Sequence, residues 1–549
     1  MLLRSPRRRA LLLQAAALGC AAFAPRALSD PVAATTPADW CGPPEGARLF
    51  VPGADGWLGR LAPDDALIAL ATAPSTAIDT PWPAAFAARH GGRSYRNPTL
   101  AFESGQRARI VLANTLDEPT IVHWHGLQVD TANDGAGMPL VPPAGRYAYD
   151  FVVRARSGLY WYHPHPHGLT AGQTYRGLFG MLVVDDADDR ALREALGLVW
   201  GRTDIPLVLQ DRRPGSVYTA DADDVHHGFL GDIATVNGGA GVHLDVATRI
   251  YRFRILNASN ARTYRLGFAD AAGTPIPFTL IGTDGGLLAT PMRCQECFLS
   301  SAERIDVLLD LSERRQGDAI VLESRAFDPM HFEAPRAAGT NGAPGPAPPA
   351  HDHSHAHSAP QAARSGAPTG PTPWPEGGAR RLLTLRVRER IAVPKAIPAT
   401  LSALPEARAD PAAHERPFRL GFAKGRWRIN DRVFAMDETP IEVARDASEV
   451  WLLRNYHTSM PHAMHLHGFQ FRVLERETSP DQLAPLAIDA KGRLATDLGW
   501  KDTVLVWPGE SVRIAIDFRH PFPGSQTWVF HCHNLEHEDG GMMLRMKVG

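Results

Sequence analysis

Cysteine is scarce in this 549-residue chain, with five in all. Cys20 lies in the N-terminal apolar run, and Cys41, Cys294, Cys297 and Cys532 are too few and too scattered to form a disulfide scaffold. Long apolar runs are missing as well. The stretch from Ala10 to Ala24 is too short and too interrupted to span a bilayer, and no other segment could, so no stable membrane insertion is expected of the mature chain. Charge of one sign is also lacking. Lys plus Arg number 57 against 59 Asp plus Glu, a net charge of −2, which excludes the basic footprint of a nucleic-acid binder. Histidine is what the sequence has in excess: 23 residues, and they cluster.

The N-terminus reads as a targeting segment over residues 1–30. Arg4, Arg7, Arg8 and Arg9 precede an apolar core of signal-peptide length. Arg8-Arg9-Ala10-Leu11-Leu12 has the look of a twin-arginine export signal. Ala17-Leu18-Gly19-Cys20 is a weak lipoprotein-type site, with Ala where Leu is usual.

Length alone suggests about three domains. Three stretches echo one another: Arg107 to Asn114, Ile250 to Asn257 and Glu449 to Asn455. Each is rich in β-formers and ends at Asn, as a strand stopped by a turn does. They predict a predominantly β chain of three β-sandwich copies. The first and third copies share more. Ile121-Val122-His123-Trp124-His125-Gly126 is matched by Met464-His465-Leu466-His467-Gly468. Tyr160-Trp161-Tyr162-His163-Pro164-His165 is matched by Trp528-Val529-Phe530-His531-Cys532-His533. The middle copy has none of these histidines. The expected organisation is a first unit over 40–190, a metal-free second over 200–330 and a third over 380–549. Between the last two, residues 332–378 turn to Ala, Gly, Pro, Ser and His, as a linker or surface insertion does.

Side chains two apart on a strand share a face, so each His-x-His projects both rings together. His123 with His125, His163 with His165, His465 with His467 and His531 with His533 thus offer eight imidazoles from two units to several metal ions. Imidazole suits copper among other metals. Cys532 alternates to the opposite face of its strand and points to a second site. His537 and Met542 follow it, and His462 is out of phase with His465 and His467. One Cys, two His and a weak axial Met form the ligand set of a blue-copper electron-transfer centre. Such an arrangement takes single electrons at one centre and collects them at the other through a short covalent route.

At these residues the sequence resembles the three-domain bacterial multicopper oxidases, and among them the periplasmic copper efflux oxidases, from about residue 45 to the C-terminus apart from the linker. The resemblance implies three cupredoxin-like (plastocyanin-like) domains and four copper ions: one type 1, one type 2 and a type 3 pair. It implies His462, Cys532 and His537 with axial Met542 for type 1, and His123 and His465 for type 2. His125, His163 and His533 match one type 3 copper; His165, His467 and His531 match the other. Asp134 and Glu538 match acids that deliver protons during oxygen reduction. The implied reaction is one-electron oxidation of cuprous ion, in the service of copper tolerance, coupled to four-electron reduction of dioxygen to water. The implied protein is a periplasmic monomer.

Some features depart from that pattern. Efflux oxidases carry a Met-rich insertion, whereas Met is sparse here and the insertion holds His351, His353, His355 and His357, a segment suited to collecting copper. Met460 matches a substrate-copper Met of the efflux branch, but Thr458 replaces an acid seen there; His457, Met330 and His331 are candidates to compensate. Cys294 and Cys297 form a Cys-x-x-Cys, read as a local disulfide in an oxidising compartment or as an accessory metal site. His167 is read as lying outside the ligand set, and His226 and His227 have no supporting spacing. The alternatives are a laccase-like oxidase of phenols and aromatic amines, a ferroxidase or manganese oxidase, and, from another class, a non-catalytic copper-binding scaffold. A copper nitrite reductase is disfavoured, because such chains have two domains and lack the fourfold His-x-His set.

Overall fold

The computed structural model describes residues 46–63, 67–74, 82–136, 139–215, 217–331, 373–391, 395–405 and 414–549. The N-terminal arginines, Cys20, Cys41 and the His351 to His357 run lie outside the described residues. The chain is nearly all β. Its strands form six sheets, two in each of three consecutive stretches: six- and five-stranded, then seven- and six-stranded, then five- and five-stranded. Each pair encloses its own apolar core, built around residues such as Trp124, Phe253 and Trp451.

The three echoing stretches occupy one structural position. Arg107–Ala113 lies between parallel Ile68–Pro74 and antiparallel Arg146–Val152. Ile250–Asn257 lies between parallel Asp204–Arg212 and antiparallel Arg304–Asp310. Ser448–Asn455 lies between parallel His414–Ala423 and antiparallel Ser511–Asp517. The closing asparagines do one job three times. Asn114 donates its side-chain amide to the Glu118 and Val141 carbonyls, Asn257 to Arg262 and Leu299, and Asn455 to Met460 and Val506. Each ties the end of its strand to two carbonyls, one in the turn that follows and one in a segment further along the chain.

Two placements differ from the sequence reading. Arg380–Glu389 was expected to begin the third unit. Instead it pairs with Val242–Ala247 and Ala319–Ser324 in the middle one. Its Leu382, Leu383, Leu385 and Val387 fill that unit's core, which would otherwise lose one wall. Cys294 and Cys297 are buried free thiols rather than a disulfide. Cys294 is paired with Phe278 in one sheet and Cys297 with Leu266 in the other, so the short link between them crosses from sheet to sheet. Among the described residues neither belongs to a cluster of three or more metal-ligating groups.

Between the first and middle units the helix Ala187–Leu196 buries Asp189 against Arg252 and Arg254. Arg254 also makes a two-pronged pair with Asp204 at 2.8 and 2.9 Å. No helix among the described residues is long and apolar enough to cross a membrane.

Candidate metal centre

Strand register assembles the histidines. Val122–His125 runs antiparallel to Gly158–Pro164 with His123 opposite His163. In the third unit His462–Leu466 runs antiparallel to Gln526–Cys532 with His465 opposite His531 and Met464 opposite Cys532. The two units then interleave. His123 stacks on His467 and His125 on His465, each with ring centroids 3.7 Å apart. His533 lies with its ring centroid 5.1 Å from that of His125 and 5.2 Å from that of His163. His165, His467 and His531 bring one nitrogen each to within 4.8 Å of one another, as do His123, His465 and His467, and His123, His125 and His163. All these rings are buried.

The hydrogen bonds fix which nitrogen is available. A carbonyl only accepts, so a ring nitrogen facing one must carry the proton, and the other nitrogen is then a bare donor pair for a metal. His123 Nδ1 donates to the Asp134 carbonyl at 2.8 Å, His163 Nδ1 to Pro164 at 2.8 Å and His465 Nδ1 to Asp502 at 2.8 Å. His125 is turned over: its Nε2 donates to the Asp502 carboxylate at 3.0 Å. The remaining nitrogens, Nε2 of His123, His163 and His465 and Nδ1 of His125, have no hydrogen-bond partner in the protein, and neither nitrogen of His533 has one. So many buried polar atoms without partners would cost about 1–3 kcal/mol each. Converging imidazole lone pairs fit resident metal ions, and burial drives these rings to the neutral form that metals need.

The opposite face of the Cys532 strand carries the second centre. Cys532 Sγ is 3.6 Å from His462 Nδ1 and 3.6 Å from His537 Nδ1. Burial pushes the thiol up to about 12, so it yields its proton there only to a cation. Met542 is fully buried in the same core, and its carbonyl accepts from the Cys532 amide at 3.0 Å. Asn534 caps the short helix Leu535–Asp539 that presents His537. His537 Nε2 donates to the His226 carbonyl at 2.9 Å. That carbonyl belongs to the last turn of the helix Ala222–His227, where a helix leaves carbonyls without internal partners.

Both sequence-predicted acids reach the larger cluster. Asp134 Oδ2 accepts from His467 Nδ1 at 2.9 Å, and Oδ1 is 3.6 Å from His123 Nδ1. Its helix, Thr131–Asp134, ends at Gly135 with φ 83°. A side chain there would meet the Val122 carbonyl at 2.1 Å, so only glycine lets Asp134 sit this close to the His123 strand. Glu538 Oε1 is 3.4 Å from His165 Nε2 and its Oε2 is 3.3 Å from His531 Nδ1. Burial pushes both carboxyls well above the usual carboxylate range. His167 stays outside, exposed against Phe434.

Sequence reasoning missed Asp502 and Arg304. Asp502 accepts from Arg304 through both oxygens, at 2.7 and 2.6 Å, and from Thr503 Oγ1 at 2.9 Å, besides His125. The unit without histidine ligands therefore supplies the cation that holds a carboxylate against the cluster. His226 was missed for another reason, because its contribution is a backbone oxygen.

Two sequence profiles described as multicopper oxidase match the chain, over residues 91–189 and 408–549. The laccase of Bacillus subtilis is 30% identical over 464 residues, which cover 78% of this chain and 79% of that protein. A multicopper oxidase of Staphylococcus haemolyticus is 27% identical, covering 82% and 81%. The crystal structure of the McoA multicopper oxidase of Aquifex aeolicus superposes with a TM-score of 0.76 at 31% identity, covering 92% of this chain and all of that one.

Proposed function

The chain belongs to the multicopper oxidase family, and on that premise we propose that its reducing substrate is cuprous ion. The enzyme is an oxidoreductase with four copper ions as cofactors and dioxygen as its oxidant. When bound, the coppers supply a one-electron acceptor at one centre and a place for dioxygen to take up four electrons at the other.

One observation carries this reading: Cys532 faces His462 and His537 while its chain neighbours His531 and His533 face the larger cluster. With copper bound, the backbone of Cys532 would be the covalent link between the ion that Cys532, His462 and His537 would hold and those that His531 and His533 would hold. In this assignment His462, Cys532, His537 and Met542 hold the type 1 copper, and His123 and His465 the type 2. His125, His163 and His533 hold one type 3 copper; His165, His467 and His531 hold the other. Asp134 and Glu538, both touching ligand imidazoles, hold the protons that water formation requires. Asp502 and Asp134 orient His125 and His467 by accepting their ring protons.

Met460, buried in the same core as Cys532, supports cuprous ion as the reductant, since thioether sulfur is a soft ligand. A second reading has its own observation. Trp427 lies 4.7 Å from the His462 ring and 5.0 Å from the His537 ring, with half-exposed Phe422 against it. An aromatic edge of that kind suits a flat phenol or amine, as a laccase would take. The twin-arginine-like leader supports export to the periplasm, and the His351 to His357 run supports copper collection; the protein is proposed to act as a monomer.

Oxygen uptake by the copper-loaded protein decides between these readings, with cuprous ion and then a methoxyphenol, against Cys532→Ser. Strong uptake with cuprous ion and little with the phenol is the expected result. Equal or better uptake with the phenol alone would make the protein laccase-like. No uptake with either, in protein holding four coppers, would make it a scaffold.

A further inference from the structure

A cavity of about 740 Å³ lies where the first unit meets the turn that enters the middle one, and no copper ligand lines it. Its walls are the chain around Pro52, the hairpin joining Ala84–His90 to Arg93–Arg96, and the turn before Asp204–Arg212. Gly201, at φ 70°, presses that turn onto the Pro52 segment; a side chain there would meet the Pro52 carbonyl at 2.8 Å. The charged lining is of one sign. Arg60, Arg93 and Arg202 face the cavity, and no Asp or Glu among the described residues does, in a chain whose net charge is −2. Arg93 and Arg202 are exposed and make no side-chain hydrogen bond or ion pair among the described residues. Arg60 gives Nη2 to Asp185 at 3.0 Å, and its Nε and Nη1 have no partner there. Tyr95 is 5% exposed and lines the same space, and its hydroxyl makes no hydrogen bond among the described residues.

We propose that this cavity binds a small organic oxyanion, a phosphate or carboxylate on an apolar body, with Arg60, Arg93 and Arg202 pairing its charge and Tyr95 donating to one of its oxygens. Three guanidiniums sharing one cavity repel one another, and an oxyanion among them reverses the sign of that interaction. The planar fork of each matches phosphate and carboxylate oxygens. An inorganic ion would leave most of the space unfilled. The volume falls among pockets of about 300–1,000 Å³ that take small organic molecules, and Val51, Pro52, Ala62 and Trp200 supply an apolar wall. The Arg60 guanidinium stands 6.0 Å from the centre of the Trp200 ring, so the charged and apolar parts of the lining adjoin. Arg60 and Arg93 belong to the first unit and Arg202 to the turn entering the middle one. A bound oxyanion therefore bridges the two and stabilises their junction. The site is separate from the copper chemistry and does not depend on which reductant the enzyme uses.

The test uses the four-copper protein, wild type against Arg93→Met/Arg202→Met and, separately, Tyr95→Phe. Both arginines are exposed and unpaired, so their replacement should leave the fold intact. Calorimetry is run with phenyl phosphate, benzoate, inorganic phosphate and, as a neutral control, benzyl alcohol, at low and at high salt. Phenyl phosphate or benzoate should bind once per chain, more tightly than inorganic phosphate and far more tightly than benzyl alcohol, and should raise the thermal midpoint. Its affinity should fall at least about tenfold in the double variant and about fivefold in Tyr95→Phe, and should weaken at high salt. The blue absorption and oxygen uptake should match wild type in both variants. Failure of both organic anions to bind would overturn the proposal. So would binding that neither variant weakens, since the anion would then sit elsewhere, the copper cluster included. Inorganic phosphate binding as tightly as phenyl phosphate would overturn the organic ligand.

Discussion

Replacing Arg304 by methionine separates what holds the protein together from what holds its metals. The guanidinium is fully buried and bonded to all three units. It donates to the Leu159 carbonyl of the first at 3.1 Å, to Ala302 and Asp284 of the middle at 3.0 and 2.9 Å, and to both Asp502 oxygens of the third. Methionine fills similar space without the charge. Asp502 would keep Thr503 and His125 as donors and lose its counter-ion, and breaking one side of a buried pair costs about 3–5 kcal/mol. In Arg304→Met/Asp502→Leu the stranded Asp502 charge is gone, and Asp284, which also loses Arg304 at 3.6 Å, keeps Lys501 at 3.1 Å, so part of that stability should return. Copper affinity should not return with it. His125 Nε2–H would lose its carboxylate acceptor and keep only the Thr503 hydroxyl at 3.4 Å, and loss of such an orienting partner costs about 10–100-fold in metal binding. Guanidinium titration of copper-free protein reads the first quantity, and copper content after dialysis against a graded chelator reads the second. A single variant that loses less than about 1 kcal/mol would refute the reasoning, and so would a double variant that regains both stability and copper.

Asp134→Asn keeps an oxygen for the His467 ring proton but cannot deliver one, so oxygen turnover should fall about a hundredfold with the blue absorption intact; unchanged turnover removes Asp134 from the reaction. Burial holds His163, His462 and His531 down to about 3. Their unfolded value is near 6.5, so below that pH the unfolded chain binds protons that the folded one refuses. Stability of the copper-free protein should fall as pH drops from about 6.5 towards 3, by up to about 1.4 kcal/mol per pH unit for each ring. Denaturation midpoints at pH 7.5 and 5.5 check this, and a higher midpoint at the lower pH would contradict it. Asn257→Ala and Asn455→Ala each strand two carbonyls and should each cost about 2 kcal/mol by chemical denaturation. Only the second should disturb the blue absorption, because Asn455 holds the turn that leads to His462; a spectral change in the first as well would mean the damage is global.

The eight paired histidines were legible because alternation on a strand is a local rule, and Cys532 could be assigned to the opposite face for the same reason. The three strand-ending asparagines were legible as stops, though not as clamps on two carbonyls, since the second carbonyl comes from a different strand. Asp502 was not legible. It belongs to no motif, and the arginine that gives it meaning lies 198 residues away. The His226 carbonyl could not have been found from side-chain spacing, because every residue has a carbonyl and its use at His537 depends on contact across 311 positions. Arg380–Glu389 was misplaced because the low-complexity stretch before it looked like a boundary. Strand pairing across such an insertion leaves no local trace.

The stacking of His123 on His467 and of His125 on His465 has a kinetic consequence. Neither unit alone presents a full set of donors, and the rings interlock like the teeth of a clasp. Copper in this cluster could exchange only when the clasp opens, so its lifetime is governed by separation of two packed domains rather than by the exchange of single ligands. Loading is gated in the same way, since the metal closes what it enters. A chelator should therefore strip the Cys532 centre, whose side-chain ligands all come from the third unit, at a rate set by its own concentration, and empty the shared one at a rate that the concentration does not change.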